Sequence, residues 1–369
     1  MTLSAIIKPR VLVVLPSWLG DTAMATPALR LLREGLAGSV IVGLGRPGID
    51  ELLAGFDPLD DLITADARSI TGPAKLASRL KPFRFDAALL LPNSFASAMT
   101  VRMAGIAVRL GYDRDGRGVL LTHALDAPRR ALPHTGYAAI SAVEYYLEAT
   151  RCLLRVLRGQ EWPLPTVEPA LELGITPAQE ALAAEVLAKG GVKPGERYAL
   201  LNPGGNNPAK RWPVERFATV AHQLIADHGL AVVLNGSPGE ASLIDAIVTA
   251  ITLHDPEDGP RIAALSRYGG TIGSLKAIVK HASLVLTNDT GPRHLAAAFG
   301  TPCISLFGPT DHRWTTLPKP AGHAHGREVI IVADPTLPES ELADDHPERC
   351  RVDRIGVSQV IAAVEQLLA

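Results

Sequence analysis

The strongest constraint on this chain is a recurring pattern: short, unbroken β-branched and leucine runs, each followed by a loop and a stretch of helical periodicity. The first is Arg10–Leu15, RVLVVL. With no polar residue alternating inside it, it reads as a strand buried on both faces, as in a parallel sheet. Pro16-Ser17-Trp18-Leu19-Gly20-Asp21 is the expected loop, and Thr22 to Leu36 the expected helix, ended by Gly35 and Gly38. Further strands are expected at Ser39–Leu44, Leu62–Thr64, Asp86–Leu91 and Gly118–Thr122. Parallel strands need crossover helices, so this alternation predicts an open α/β sheet.

The alternation breaks in the proline-rich stretch Arg158 to Pro177 and then restarts. Strands are expected at Tyr198–Asn202, Ala231–Asn235, Ala282–Thr287, Cys303–Leu306 and Glu328–Ala333. Helices are expected at Val214–Gly229, Gly239–Thr252 and Pro292–Gly300, with a closing amphipathic helix at Val357–Leu368. The prediction is two Rossmann-like α/β domains, 1–170 and 171–369, facing a central cleft. A chain of 369 residues, 47% hydrophobic and 20% charged, is long enough for two cores.

A net charge of −2 gives no reason to expect nucleic acid as a partner. From Arg68 to Arg130, however, eleven Lys/Arg face four Asp, a local balance of +7, and Arg68 to Arg84 contains no acid. This is either an anion-facing surface or a solvated basic face. Cys152, Cys303 and Cys350 are widely spaced and form no CxxC, so neither a disulfide framework nor a zinc site is expected. His323, His325, Asp344, Asp345 and His346 lack metal-ligand spacing and read as loop residues. No signal peptide or membrane-spanning run is legible, and the expected location is cytoplasmic.

Gly43-x-Gly45-x-x-Gly48 matches the dinucleotide fingerprint but follows the second strand and opens no helix, so it reads as a turn. Three other segments sit where open α/β sheets bind ligands, after strands. Asp21 is either a helix N-cap or a carboxylate that takes a proton from an attacking hydroxyl. Asn202–Pro213, NPGGNNPAKRWP, has glycines that let backbone N–H groups approach phosphate, with Lys210 and Arg211 adding charge; otherwise it is a surface loop. Thr287–His294, TNDTGPRH, repeats that geometry with Asp289, Thr290, Gly291 and His294, or is simply a capped helix start. Trp162, Trp212 and Trp314 are expected to be packing residues.

Taken in order, SWLGD, LPNSF at 91–95, GYDRDGR at 111–117, NPGGNNPAKRWP, TNDTGPRHLAAAFGTP at 287–302 and LFGPT at 306–310 resemble the ADP-heptose:lipopolysaccharide heptosyltransferases of glycosyltransferase family 9. The likeness spans nearly the whole chain. It implies the GT-B architecture and an inverting transfer of heptose from ADP-L-glycero-β-D-manno-heptose to the lipopolysaccharide inner core, without metal or other cofactor. By that resemblance Asp21 is the general base and Lys210 meets the donor phosphates. Gly205, Asn206, Asp289, Thr290, Gly291 and His294 then bind the donor, and Asn206 stands where relatives can carry a hydroxyl. Arg68, Arg79, Lys81, Arg114 and Arg117, in the acceptor-holding domain, are the expected contacts to the acceptor's carboxylates and phosphates. The PNSF and PAKRWP runs look like members that add the second heptose. A monomer with peripheral contact at the inner membrane is expected. The alternatives are another nucleotide-sugar transferase or epimerase on the same fold, or a non-catalytic sugar-nucleotide binder.

Overall fold

The computed structural model describes residues 8–65, 71–131, 136–205, 207–254, 261–318 and 328–369. The chain divides into two compact units. One comprises Met1–Glu172 with Arg313–Pro320, the other Leu173–His312 with Ala321–Ala369. The short 313–320 segment belongs with the first unit although it lies far along the chain, an exchange that local sequence patterns do not report.

The first unit runs β1 (Arg10–Val14), α1 (Leu19–Met24), α2 (Thr26–Gly35), β2 (Val40–Gly45), α3 (Ile49–Leu53), β3 (Asp61–Thr64), α4 (Gly72–Leu80), β4 (Ala87–Leu90), α5 (Phe95–Met103), β5 (Val108–Asp113), β6 (His123–Asp126) and α6 (Ala142–Arg158). The second runs α7 (Pro177–Lys189), β7 (Tyr198–Asn202), α8 (Val214–Ala226), β8 (Ala231–Leu234), α9 (Ala241–His254), β9 (Ile262–Ala264), α10 (Ile272–His281), β10 (Leu284–Asn288), α11 (Gly291–Phe299), β11 (Cys303–Phe307), β12 (Glu328–Val332) and α12 (Val357–Leu368).

Each unit holds a six-stranded parallel sheet, in the orders β3-β2-β1-β4-β5-β6 and β12-β11-β10-β7-β8-β9. These are the same doubly wound topology. In each, the first and fourth strands lie side by side while their connections depart in opposite directions, which opens a crevice at the carboxyl ends of β1 and β4 and of β7 and β10. In β1, Leu12 and Val14 pack with α4 and α5 through Leu76, Leu80, Ala98 and Val101. Val11 and Val13 point to the opposite face and are as deeply buried. Across α2 and α6 the packing is close enough that a Cβ at Gly35 would lie 2.5 Å from Leu154 Cδ2.

Two expectations fail for identifiable reasons. The single helix from Thr22 to Leu36 is two, because Pro27 has no N–H to give the Ala23 carbonyl; the Thr26 hydroxyl donates to it instead, at 2.7 Å. Leu19 to Asp21 is accordingly helical, not loop. The expected strand at Gly118–Thr122 is a 3-10 turn at Gly118–Leu120, flanked by β5 and β6, neither of them anticipated. Arg117 explains the misreading. Its side chain is fully buried and donates to the carbonyls of Tyr112, Pro92 and Ser94 and to Asn93 Oδ1. A charged residue inside a core hides the strand beside it from any reading by apolar periodicity.

The fingerprint-like glycines do structural work. Gly43 and Gly45 are closely packed by Leu62 and Ile49, and Gly48, at φ 93°, is the N-cap of the five-residue α3, so the motif does open a short helix, contrary to expectation. Arg117→Met is expected to lower unfolding stability by about 3 kcal/mol or more, since several buried acceptors lose their donor. A falling urea midpoint with an unchanged m-value is the readout.

Candidate active site

In the first unit the chain leaves β1 through Leu15 and Pro16 and turns into α1, the turn held by the Thr22 hydroxyl donating to the Pro16 carbonyl at 3.1 Å. Trp18, not Asp21, occupies the N-cap, with extended backbone and no side-chain capping bond. Asp21 lies in the first helical turn and is half-buried. It lines a cavity of about 330 Å³ at the β1/β4 crevice. Aromatic walls come from Trp18, Tyr137, Tyr146 and Trp314, so Trp314 is a cavity residue as well as a packing one. Burial pushes the Tyr146 phenol well above its usual range, and the negative charge of Asp21 adds to it, so this hydroxyl stays protonated.

The opposite wall is fixed by the loop after β4. Asn93 Oδ1 accepts from the Tyr145 hydroxyl at 3.1 Å and from Arg117 at 3.3 Å, and Tyr145 stacks on Tyr112 with centroids 3.7 Å apart. Of the described basic residues expected to meet an acceptor, Arg114 alone is brought to the cavity wall, its guanidinium 3.8 Å over the Tyr137 ring. Arg117 is sealed behind that wall and positions it. Arg79 points elsewhere and donates to the Thr64 carbonyl at 3.2 Å. Lys81 opens a 3-10 turn whose Phe83 carbonyl is bonded by Arg10, the first residue of β1, so it sits at the opposite, amino-terminal end of the sheet. Arg68 lies outside the described residues.

In the second unit the two motif loops meet at the β7/β10 crevice. Asn288, wholly buried at the end of β10, donates to the carbonyls of Pro203 and Gly204 at 2.7 and 3.1 Å and accepts from Trp212 N at 3.3 Å. Asn202, at the end of β7, donates to the Thr290 hydroxyl at 2.8 Å and accepts from Asn235 at 2.6 Å. Thr290 thus stitches the two strands together, and as N-cap of α11 it makes no side-chain capping bond. Gly291 begins that helix, and the dipole of its uncapped first turn favours an anion.

Lys210 Nζ pairs with Asp289 Oδ2 at 2.7 Å, which places the ammonium across the crevice from its own loop. The Gly205 N–H, expected to face phosphate, is instead taken by Glu240 Oε1 at 2.7 Å, and Arg211 grips the Gly205 carbonyl through Nε and Nη2. Glu240 was not anticipated, though Ser237-Pro-Gly-Glu240 carries the capping-box spacing that could have flagged it. Burial works against its ionisation. Hydrogen bonds from Ser237 and from the Gly205 backbone outweigh that and hold its carboxyl below the usual range. Asn206 lies outside the described residues.

His294 is in the first turn of α11 and 4% exposed; neither ring nitrogen makes a well-aligned hydrogen bond among the described residues, though the Thr290 backbone lies close enough to favour its protonated form. Burial, reinforced by the charge of neighbouring Arg293, pushes its pKa down to about 4, so the imidazole is neutral at ordinary pH. Arg293 itself is spent on Glu328 of β12 at 2.5 Å. Among the described residues no group of three or more His, Cys, Asp or Glu is placed to hold a metal ion. Asp344 accepts from Asp311 N, and His346 pairs with Glu341. His323 and His325 lie outside the described residues.

Two doubly wound units, one with a carboxylate at an aromatic crevice and one with a lysine and an open helix start at the equivalent place, define a glycosyltransferase of the GT-B class. The model for Glycosyltransferase family 9 (heptosyltransferase) matches residues 74–341, and the chain belongs to that family. It is 27% identical over 311 residues to lipopolysaccharide heptosyltransferase 2 of Escherichia coli K12, covering 83% of this chain and 84% of that one. With lipooligosaccharide heptosyltransferase 2 of Haemophilus influenzae the identity is also 27% over 311 residues, covering 83% and 85%. The solved structure of the Escherichia coli ADP-heptose lipopolysaccharide heptosyltransferase II superposes with a TM-score of 0.74 at 25% identity, over 97% of this chain and 98% of that one. A family 9 glycosyltransferase from Veillonella parvula shares the fold, with a TM-score of 0.76 at 20% identity, over 99% and 98%.

The buried imidazole makes stability depend on pH. Its pKa is lower folded (about 4) than unfolded (about 6.5), so as pH falls the unfolded chain binds the proton first. The His294 contribution is complete above pH ~6.5 and is lost progressively toward pH ~4, by roughly 3 kcal/mol at full extent. His294→Leu is expected to flatten that part of the curve when urea midpoints are measured between pH 7 and 4.

Proposed function

We propose that this enzyme transfers heptose, with inversion, from ADP-L-glycero-β-D-manno-heptose to the heptosyl-Kdo-lipid A inner core during lipopolysaccharide synthesis, without a metal, at the cytoplasmic face of the inner membrane. The observation that carries the reading is Asp21: a carboxylate on the wall of an aromatic-lined cavity of sugar size, at the first unit's topological switch point. Sugars offer apolar ring faces to aromatic side chains and hydroxyls to polar ones, and the cavity supplies both through Trp18, Trp314, Asn93 and Arg114.

In this mechanism Asp21 accepts the proton of the acceptor hydroxyl as its oxygen attacks the anomeric carbon. The carbon–oxygen bond to the diphosphate breaks on the opposite face, and ADP leaves with the electron pair. Charge grows on the departing diphosphate, and the second unit is suited to meet it. Lys210 uses one of its three ammonium hydrogens on Asp289 and keeps two for phosphate oxygens. The first turn of α11 offers backbone N–H groups at Gly291 and beyond, and a bound donor would give His294 a better-aligned hydrogen-bond partner than the Thr290 backbone. The cradle therefore lies at α11 more than at Gly205, whose N–H Glu240 holds. Lysine and helix dipole together do here what a divalent cation does in other phosphate-leaving reactions. The relatives' names supply the sugar, the nucleotide and the acceptor class.

Asp21→Ala is expected to reduce ADP release from ADP-heptose in the presence of heptosyl-Kdo-lipid A by about 10²–10⁴-fold while leaving donor binding by calorimetry near wild type. Lys210→Ala is expected to lower turnover by about 10²–10³-fold. Both wild-type rate and affinity should be indifferent to EDTA. Full turnover in Asp21→Ala, or loss of wild-type activity on chelation, overturns the reading.

A further inference from the structure

The basic run that the acceptor cavity does not use has a place of its own. α4 and α5 pack side by side on one face of the first sheet, both through their inner residues Leu76, Leu80, Ala98 and Val101. Outward, α4 presents Lys75, Ser78 and Arg79, and the turn after it presents Lys81 and Arg84, all exposed. Outward, α5 presents something unusual for a surface helix. Phe95 and Met103, at i and i+8, are 49% and 43% exposed, while Met99 between them packs in part against the core, so large apolar side chains lie on the outer as well as the inner side of this helix. Arg102 lies beside Met103 and donates to the carbonyl of Val119, which is itself 77% exposed and extends the apolar stripe.

Charge is as one-sided as hydropathy. From Arg68 to Tyr112 seven Lys/Arg stand against a single acid, Asp86, and that carboxylate is occupied by the Arg10 N–H at 2.8 Å. Acids reappear only at the Asp113–Asp115 turn, where Asp113 accepts from Gly118 N. An apolar stripe of large side chains with lysine and arginine in excess beside it, acids lying only at its Val119 end, is the pattern of a surface that lies in the headgroup region of an anionic bilayer, side chains entering the acyl boundary and cations meeting lipid phosphates. Three large exposed apolar side chains are more than a solvated basic face requires, and the excess of positive charge along α4 and the turn after it favours an anionic lipid surface over an apolar protein interface.

We propose that the α4–α5 face, through Phe95, Met103 and Val119 with Lys75, Arg79, Lys81, Arg84 and Arg102, docks this enzyme on an anionic phospholipid surface. This deepens the membrane location proposed above and rests on it only in that a lipid-linked acceptor gives the docking a purpose. The residues concerned are outside the Asp21 cavity. Docking and chemistry are therefore separable.

The test is co-sedimentation of the full chain with phosphatidylglycerol/phosphatidylcholine vesicles and with phosphatidylcholine alone, at low and at 0.5 M salt, comparing wild type, Phe95→Ser/Met103→Ser and Lys75→Glu/Arg84→Glu. Wild type is expected on anionic vesicles only, with partition falling steeply with salt. The charge-reversal pair is expected to bind at least about 25-fold more weakly, near fivefold for each charge removed. The apolar pair should lose binding at both salt concentrations. Melting temperatures and ADP release with a delipidated, soluble acceptor should be unchanged in both pairs, which separates a docking defect from unfolding and from failure of the transfer reading. Wild type remaining in the supernatant at low salt, or either pair binding as wild type does, overturns the proposal. So does a wild-type dimer in sedimentation velocity that the Phe95/Met103 pair abolishes, since the face would then join two copies.

Discussion

Burial of both faces of each sheet is the constraint from which the rest of this molecule follows. Strands such as Val11–Val14 and Leu284–Asn288 have no solvent side, so helices must cover both faces, the connections must cross over, and the strands must run parallel. A doubly wound sheet of this kind starts in its middle and winds outward twice. The crevice where winding reverses is then a geometric by-product, present in each unit at the equivalent pair of strands. Asp21 stands at one and Lys210, Asp289 and His294 gather at the other.

What gives those crevices definite walls is a small set of buried polar side chains bonded to backbone carbonyls. Arg117 binds the carbonyls of Tyr112, Pro92 and Ser94; Asn288 binds those of Pro203 and Gly204. Loops at strand ends have no ladder to satisfy their carbonyls, and a buried donor costs little when every hydrogen finds an acceptor. The same residues therefore close the core and aim the loops. Arg117 acts on the Asp21 cavity through Asn93 and Tyr145 without lining it.

Electrostatics in the second crevice are held in balance before any ligand arrives. Lys210 is offset by Asp289, the Gly205 N–H by Glu240, and Arg211 by the Gly205 carbonyl. His294 is the exception, buried, neutral and without a well-aligned hydrogen bond. Poorly satisfied buried polar atoms are rare because they are costly, and this one sits in the first turn of a helix with no side-chain cap.

The chain's own order of residues determined the class of fold, most of the strand positions and the three loops that follow β1, β7 and β10, because parallel strands buried on both faces leave an unbroken apolar run and the loops after them need glycine, proline and short polar residues. It also brought Asp21, Lys210 and Asp289 into view. It did not show β5, with Arg109 inside it and Arg117 folded over it, nor Glu240, whose carboxylate reaches Gly205 from 35 positions away. Nor did it separate Arg114, at the cavity, from Arg117 within its wall and from Arg79 and Lys81 on outward surfaces. Basic residues in one run are equivalent in sequence. Only the tertiary structure decides which is buried against carbonyls, which stacks on an aromatic ring and which faces out, because those fates depend on atoms contributed by distant segments.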